Sequence, residues 1–147
     1  MKIPFLLGRL LFGGYFLYSG IHHFKDHEMM TQYTDSKHVP APGLAVTATG
    51  VALVIGGTSI LLGVKPKLGT AALLGFLAGV SPIMHDFWNH EDPEKRMNEM
   101  VNFTKNLALV GGTLALMGVE EPWPVSVPVA QPSGLKRLRK FTRKIAA

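Results

Sequence analysis

Two long stretches of this sequence carry no charged side chain. They are residues 41–64 and residues 68–84, and only the short turn Lys65-Pro66-Lys67 separates them. A helix of about 20 apolar residues spans the roughly 30 Å hydrocarbon layer of a membrane. Inside that layer the backbone must satisfy its own hydrogen bonds, which favours helices. The two stretches therefore predict an antiparallel pair of transmembrane helices.

Two further segments complete the predicted fold. Residues 3–24 are expected to form the first helix and residues 96–119 the fourth, while the second and third helices cover residues 43–64 and 66–88. Residues 25–41 are expected to form a polar loop. The chain is thus predicted to be all-α, an integral membrane four-helix bundle.

Small residues mark the faces on which the predicted helices pack. Gly13, Gly14 and Gly20 lie in the first helix, and Ala71, Gly75 and Gly79 are spaced four apart in the third. Small residues at helical spacing let two backbones approach closely in lipid. Both groups are therefore predicted to contact a neighbouring helix.

A pattern in the second predicted helix returns in the fourth. Gly56-Gly57-Thr58 precedes Gly63-Val64 at the same spacing as Gly111-Gly112-Thr113 precedes Gly118-Val119. The first and third helices also share a Ser-x-Ile-x-His ending. These echoes predict two repeated helical hairpins. Sites in such parallel repeats tend to form where the repeats meet.

Basic residues are concentrated on one side of the predicted bundle. That side would hold both termini and the turn between the middle helices, with Lys2, Lys65, Lys67, Lys136, Arg137, Arg139, Lys140, Arg143 and Lys144. Because cytoplasmic loops carry an excess of Lys and Arg, both termini are predicted to be cytoplasmic in a multi-pass protein of the cell inner membrane. All six histidines then fall on the outer side: His22, His23, His27, His38, His85 and His90.

The composition changes after Val119. Prolines predict an extended linker over residues 120–134, following a membrane domain of residues 1–119. Residues 135–147 combine an apolar helical face with a basic one, which is typical of a helix lying on anionic lipid. A solvated tail has the same composition. The expected partners are the lipid bilayer and, at the tail, anionic lipid. A basic segment can also bind nucleic acid, but no other part of the sequence supports that function, so nucleic-acid binding is not predicted.

Polar and aromatic side chains follow the first and third predicted helices, and the two clusters are expected to face each other. A histidine beside a carboxylate keeps one tautomer and exchanges protons near neutral pH. A quinone needs such partners for its two ring oxygens, and an aromatic slot for its ring. The residues concerned are His22, His23 and Phe24 in one cluster and His85, Asp86, Phe87 and Trp88 in the other.

The same residues fit two other roles. Trp and His often lie at the headgroup level of a membrane without any ligand. His23 and His27 are four residues apart, which is the spacing of metal ligands on a helix, but the sequence specifies no further ligand. No metal site is therefore predicted.

Charged residues inside a membrane usually face the bundle interior or a polar cavity. In the fourth helix Glu99, Asn102 and Asn106 share a polar face. Lys105 lies beside this face and is expected to pair with Asp86 or Glu99. Arg9, in the first helix, is expected to meet Glu120 or Glu121 at the opposite end. Because the chain has no cysteine, thiol redox chemistry and iron–sulfur clusters are excluded for this chain alone.

Several of these motifs together resemble the DoxX family of small bacterial membrane proteins. The resemblance covers residues 5–118, although Leu53 stands where many relatives carry a Glu before the helix-two glycines. The motifs are Arg9, the Gly20-to-Phe24 helix end, Gly56-Gly57 with Leu61-Leu62-Gly63, His85-Asp86-Phe87-Trp88, and Phe103-x-Lys105-Asn106 before Gly111-Gly112.

The resemblance implies a membrane subunit of a quinone-linked oxidoreductase system, similar to a thiosulfate:quinone oxidoreductase or an oxidative-stress complex. Other subunits are then expected partners and would hold the redox centre. The alternative is a non-catalytic accessory subunit of a larger membrane complex. The predicted catalytic residues are His85, Asp86 and Lys105, and the predicted quinone-binding residues are His22, His23, Phe87, Trp88 and Asn106.

Overall fold

The computed structural model describes residues 2–128, and within this range the chain is all helical, as predicted. The predicted surface tail lies outside the described residues. A single 3₁₀ turn, Phe87–Asn89, separates the last two helices. The helices are α1 (Lys2–Lys25), α2 (His27–Ser36), α3 (Pro42–Leu62), α4 (Pro66–Met84) and α5 (Pro93–Met117).

Within residues 2–128, two segments are long and apolar enough to cross a membrane. They are Pro42–Leu62, which is α3, and Pro66–Asn89, which contains α4 and the 3₁₀ turn. α1 and α5 have 24 and 25 residues, but each contains charged side chains. The two uncharged stretches of the sequence thus correspond to the two candidate spans. The arrangement as two repeated hairpins stays a prediction.

The polar loop predicted over residues 25–41 is wrong, because most of it is the helix α2. Met30, Tyr33, Thr34 and Lys37 recur at the helical spacing of three and four residues, so one side of α2 can pack on the bundle. α2 contacts α3 and, less extensively, α1. It therefore covers the end of the bundle where the histidines lie.

The third predicted helix ends earlier than the expected Trp88. It ends at Met84, and the chain leaves helical geometry at His85 and Asp86. The carboxylate of Asp86 accepts hydrogen bonds from Lys37 and from the side chain of Asn89. These bonds favour a turn here, because they hold Asp86 against α2 rather than in line with α4.

α1 and α3 form the most extensive helix pair, and glycines bring their backbones together. A Cβ atom on Gly57 would lie 2.6 Å from the backbone nitrogen of Leu17 and 2.7 Å from the carbonyl oxygen of Gly13. A Cβ atom on Gly20 would lie 2.8 Å from the backbone nitrogen of Val54. The packing predicted for Gly13 and Gly20 is confirmed, whereas that predicted for Gly14 is wrong, because a Cβ atom there would meet nothing within 4 Å.

The core lies between α1, α3 and α4. Leu53 is fully buried there, so the position where relatives carry a Glu is here an apolar core position. Trp123, from the segment after α5, is 2% exposed and packs its ring edge-to-face on Phe5 at 5.3 Å. The other fully buried apolar side chains are Phe16, Ile60, Leu73 and Leu77.

Arg9 joins three parts of the chain at the end opposite the histidines. Its guanidinium donates to the carbonyl oxygens of Pro124 at 2.7 Å, Leu61 at 2.9 Å and Val125 at 3.1 Å. The predicted contact of Arg9 with Glu120 or Glu121 is therefore wrong. The described part of the predicted linker is not helical, but it packs on the bundle rather than leaving it.

Candidate functional site

The two predicted clusters lie at the same end of the bundle, which we call the histidine end. This end holds the C-termini of α1 and α4, the N-termini of α3 and α5, and all of α2. Long-range contacts tie these parts together: His27 Nε2 lies 3.0 Å from Thr47 Oγ1, and the Tyr33 hydroxyl donates to the Met84 carbonyl at 3.3 Å. The expectation that the clusters face each other is confirmed for His23 and His85, which line one cavity.

That cavity has a volume of about 450 Å³ and lies between α1, α2, α3 and α4. Its walls are mostly apolar, and two aromatic residues, Phe76 and Tyr33, line it. His23 approaches the Phe76 ring edge-to-face at 6.2 Å. The other lining residues are Met30, Thr34, Val39, Ala45, Val46, Thr49, Gly75, Gly79, Val80, Ile83 and Met84.

The glycines of α4 form the open side of the cavity. Gly75 and Gly79 are exposed, and a Cβ atom on either would meet nothing within 4 Å. Ala71 is exposed as well, so the packing stripe predicted for Ala71, Gly75 and Gly79 is wrong. The missing side chains of the two glycines leave an opening on the outer surface of α4, so a ligand has a route into the cavity from the side of the bundle.

His85 is held by a carboxylate on α5. Its Nδ1 lies 2.8 Å from Oε2 of Glu99, and both side chains are 20% exposed. An ionised carboxylate only accepts hydrogen bonds, so Nδ1 carries the proton and Nε2 is the remaining nitrogen. The carboxylate of Glu99 therefore fixes the orientation of the His85 ring.

His23 is held by its own helix. Its Nδ1 lies 2.8 Å from the carbonyl oxygen of Ser19, which also requires the proton on Nδ1. α3 comes close at this point because Gly50 has no side chain: a Cβ atom there would lie 2.9 Å from Cβ of His23. The backbone approach of α3 thus fixes where the imidazole enters the cavity.

An ion pair between α2 and the turn after α4 lies next to this site. Nζ of Lys37 is 2.6 Å from Oδ1 of Asp86. Burial is the largest single influence and lowers the pKa of Lys37, but the hydrogen bond to Asp86 and the electrostatic interactions with Tyr33, Asp86 and Glu99 together outweigh it, so the pKa of Lys37 is raised above its usual value. Burial and the nearby Glu99 raise the pKa of Tyr33.

The pairing predicted for Lys105 is wrong. Asp86 pairs with Lys37 and Glu99 with His85, whereas Lys105 is exposed and forms no ion pair within residues 2–128. The sequence does not indicate Lys37 as the partner, because the segment that carries it is predicted to be a loop. Asn106 is half-buried on α5 and does not line the cavity.

Three aromatic residues form a separate cluster near the start of α5. The rings of Phe87, Trp88 and Phe103 lie 5.0–5.8 Å apart, edge to face. None of them lines the cavity, and neither does Phe24. The aromatic slot expected from Phe24, Phe87 and Trp88 is therefore not part of this cavity, where Phe76 takes that place.

The neighbouring His22 and His27 also lie outside the cavity. His22 stacks on the Tyr18 ring at 4.0 Å, and its Nδ1 donates to the Tyr18 carbonyl. His27 belongs to α2, not to the helix of His23, so the spacing of four residues does not put the two on one helix face. Among the residues described, there is no group of three or more His, Cys, Asp or Glu side chains suited to a metal ion.

Sequence reasoning missed Tyr33 and Thr34 as lining residues and Lys37 as the partner of Asp86. All three lie in α2 or directly after it. The helical spacing of Met30, Tyr33, Thr34 and Lys37 was the signal that could have found them.

Fold and site together define an all-helical protein with two candidate membrane spans and a histidine-lined apolar cavity near one end. The DoxX family model matches residues 5–86, which is more than half of the chain. The chain therefore belongs to the DoxX family, whose members are membrane proteins associated with quinone-oxidoreductase-related roles. None of the curated proteins and none of the solved structures matches the chain.

Proposed function

We propose that this protein is a membrane subunit of a quinone-linked oxidoreductase system and that its cavity holds the quinone ring. Four helices, α1, α3, α4 and α5, would cross a cell inner membrane as a bundle with both termini in the cytoplasm. The histidine end would then lie on the outer side. The observation that carries this proposal is the apolar cavity lined by His23 and His85.

The cavity fits the size and chemistry of a quinone ring. Its volume of about 450 Å³ falls in the range of roughly 300–1,000 Å³ that is usual for small-molecule sites. His23 and His85 offer hydrogen-bonding groups for the two ring oxygens, and Phe76 offers an aromatic wall. A bound quinone would supply the transfer of two electrons and two protons.

The opening beside Gly75 and Gly79 supports access from lipid. Membrane quinones carry long apolar tails, so a ring inside the cavity needs a route along which the tail can remain in the bilayer. Exposed Ile83 continues this surface toward the histidine end. An opening on the side of α4 satisfies that need better than one facing water.

Residues of this chain would bind the quinone ring and transfer protons to or from its oxygens. Glu99 orients His85, whose other ring nitrogen is not used by the protein, so His85 is the catalytic candidate of this pair. Asp86, with Lys37, holds α2 over the cavity and is assigned a positioning role. Because the chain has no cysteine, a partner subunit would hold the redox centre that exchanges electrons with the quinone.

The second candidate is a non-catalytic accessory subunit of a larger membrane complex. Exposed Lys105 favours it, because a cation in the middle of a membrane helix that faces outward is stabilised by an acidic partner. The exposed Val101, one helical turn before Lys105, extends the same helix surface. In this case His22, His23 and His85 would be interfacial residues without a ligand.

Native mass spectrometry of protein extracted gently from its own membranes tests the proposal. We expect a quinone-sized adduct on the wild-type chain. The His85→Leu and His23→Leu variants should lose it, whereas the matched control His22→Leu, which changes a histidine outside the cavity, should keep it. A stoichiometric complex with other subunits and without an adduct would support the accessory role instead.

A further inference from the structure

We infer that the cavity selects the reduced form of its ligand, a 1,4-hydroquinone with two hydroxyl donors, over the oxidised quinone with two carbonyl acceptors. The inference rests on the proposed function and names the redox form for which the site is built. It follows from the hydrogen bonds that the lining histidines and hydroxyl groups already donate to acceptors of the protein.

Both lining histidines have one nitrogen committed to the protein. Nδ1 of His23 donates to the carbonyl of Ser19, and Nδ1 of His85 donates to the carboxylate of Glu99. Neither partner can donate a hydrogen bond, so the tautomer of each neutral ring is fixed with its proton on Nδ1. The remaining nitrogen, Nε2, is in both cases a hydrogen-bond acceptor.

The lining hydroxyls add little donor capacity. The Tyr33 hydroxyl donates to the carbonyl of Met84, and the Thr49 hydroxyl donates to carbonyls of its own helix at 2.8 and 3.0 Å. Thr34, which is 4% exposed, carries the third lining hydroxyl. One such donor serves at most one of the two carbonyls of a quinone.

The cavity is thus apolar and rich in acceptors. Two carbonyl oxygens facing two imidazole lone pairs make four acceptors, of which the Thr34 hydroxyl serves at most one. The other three would lack donors, and desolvated polar groups without partners oppose binding. Two hydroxyl groups satisfy both nitrogens.

Three ligands with the same ring separate hydrogen bonding from apolar contact. Duroquinone has two carbonyl acceptors, durohydroquinone has two hydroxyl donors, and 1,4-dimethoxytetramethylbenzene has no donor and no redox activity. Binding is measured by calorimetry on the full chain in detergent, under argon, at about pH 8, where an ordinary imidazole is largely neutral. This comparison needs no variant that could fail to fold.

We expect durohydroquinone to bind about tenfold or more tightly than the other two, the effect of one to two hydrogen bonds. His23→Leu and His85→Leu should each reduce its affinity toward that of the dimethoxy compound, and His22→Leu should not. Tighter binding of duroquinone, or equal binding of all three ligands, would overturn the inference while leaving a quinone site in place. Saturable binding of none of the three would overturn both the inference and the proposed function.

Discussion

Glycines have opposite effects in two regions of this molecule. In the α1–α3 interface, Gly13 and Gly57 lie against backbone atoms of the facing helix, and nothing larger fits. On the outer side of α4, Gly75 and Gly79 meet no neighbour, and the space beside them opens into the cavity. The same residue type closes one interface and leaves room at the other.

The difference shows that small residues at helical spacing do not by themselves identify a packing face. A missing side chain stabilises a helix pair only if another helix fills the space. Here α3 fills it for α1, whereas nothing in the described part of the chain fills the space beside Gly75 and Gly79 on α4. The rigid α1–α3 pair then positions His23 against a cavity whose other wall is α4.

The largest expected effect of a substitution is in the close-packed region. Gly57→Leu would place Cβ 2.6 Å from a backbone nitrogen of α1. Because the nearby atoms belong to the backbone, α1 and α3 would have to move apart to accommodate the side chain. Overpacking of this kind costs about 1–3 kcal/mol or more. We expect a large loss of folded protein, measured by size-exclusion yield and thermal unfolding in detergent.

The matched control for that variant is Gly79→Leu. Its side chain enters open space, so its melting temperature should stay close to that of the wild type. A Gly57→Leu protein as stable as Gly79→Leu would show that the contrast between the two regions is wrong.

A smaller effect is expected on ligand binding at the open region. The new leucine side chain of the Gly79→Leu variant would occupy the opening of the cavity. We therefore expect affinity for durohydroquinone to fall at least about tenfold, or about 1.4 kcal/mol, with no loss of stability. Gly111→Leu, on an exposed position of α5 with open space, serves as the control. Unchanged binding by Gly79→Leu would place the ligand elsewhere.

The smallest effect concerns the ion pair that fastens α2 over the cavity. Lys37→Met should lower the free energy of unfolding by about 1 kcal/mol, the upper end for pairs near a surface. Because the pKa of Lys37 is raised in the folded state, its contribution is fully present below the ordinary lysine pKa of 10.5 and is lost as the pH rises through the higher folded value.

The stability difference between wild type and Lys37→Met should therefore be constant from about pH 6 to about pH 9 and shrink only above about pH 10.5. Denaturant unfolding at several pH values measures it. Lys105→Met, which removes an exposed lysine without an ion pair in the described part of the chain, should show no such trend. A difference that disappears below about pH 9 would contradict the assignment of the pair.

Local sequence patterns determined most of the helices. The absence of charge over residues 41–64 and 68–84 gives α3 and α4, because only apolar side chains suit a membrane span. Pro42, Pro66 and Pro93 begin helices. Proline has no backbone N–H, and in the first turn of a helix this group would have no intrahelical hydrogen-bond acceptor. The sequence also predicts that His23 and His85 come together, because they end two helices that run in the same direction.

Only the tertiary structure decided which side chains form the site. Asp86 pairs with Lys37, 49 residues away, and Glu99 with His85, although the sequence pattern pointed to Lys105 for both carboxylates. The sequence did not predict helix α2, because its ten residues are mostly polar and show no long apolar pattern. Contacts with α3 stabilise this helix in the folded protein. Periodicity is local and can be read from sequence, whereas the partner of a charge depends on how whole helices rotate and pack.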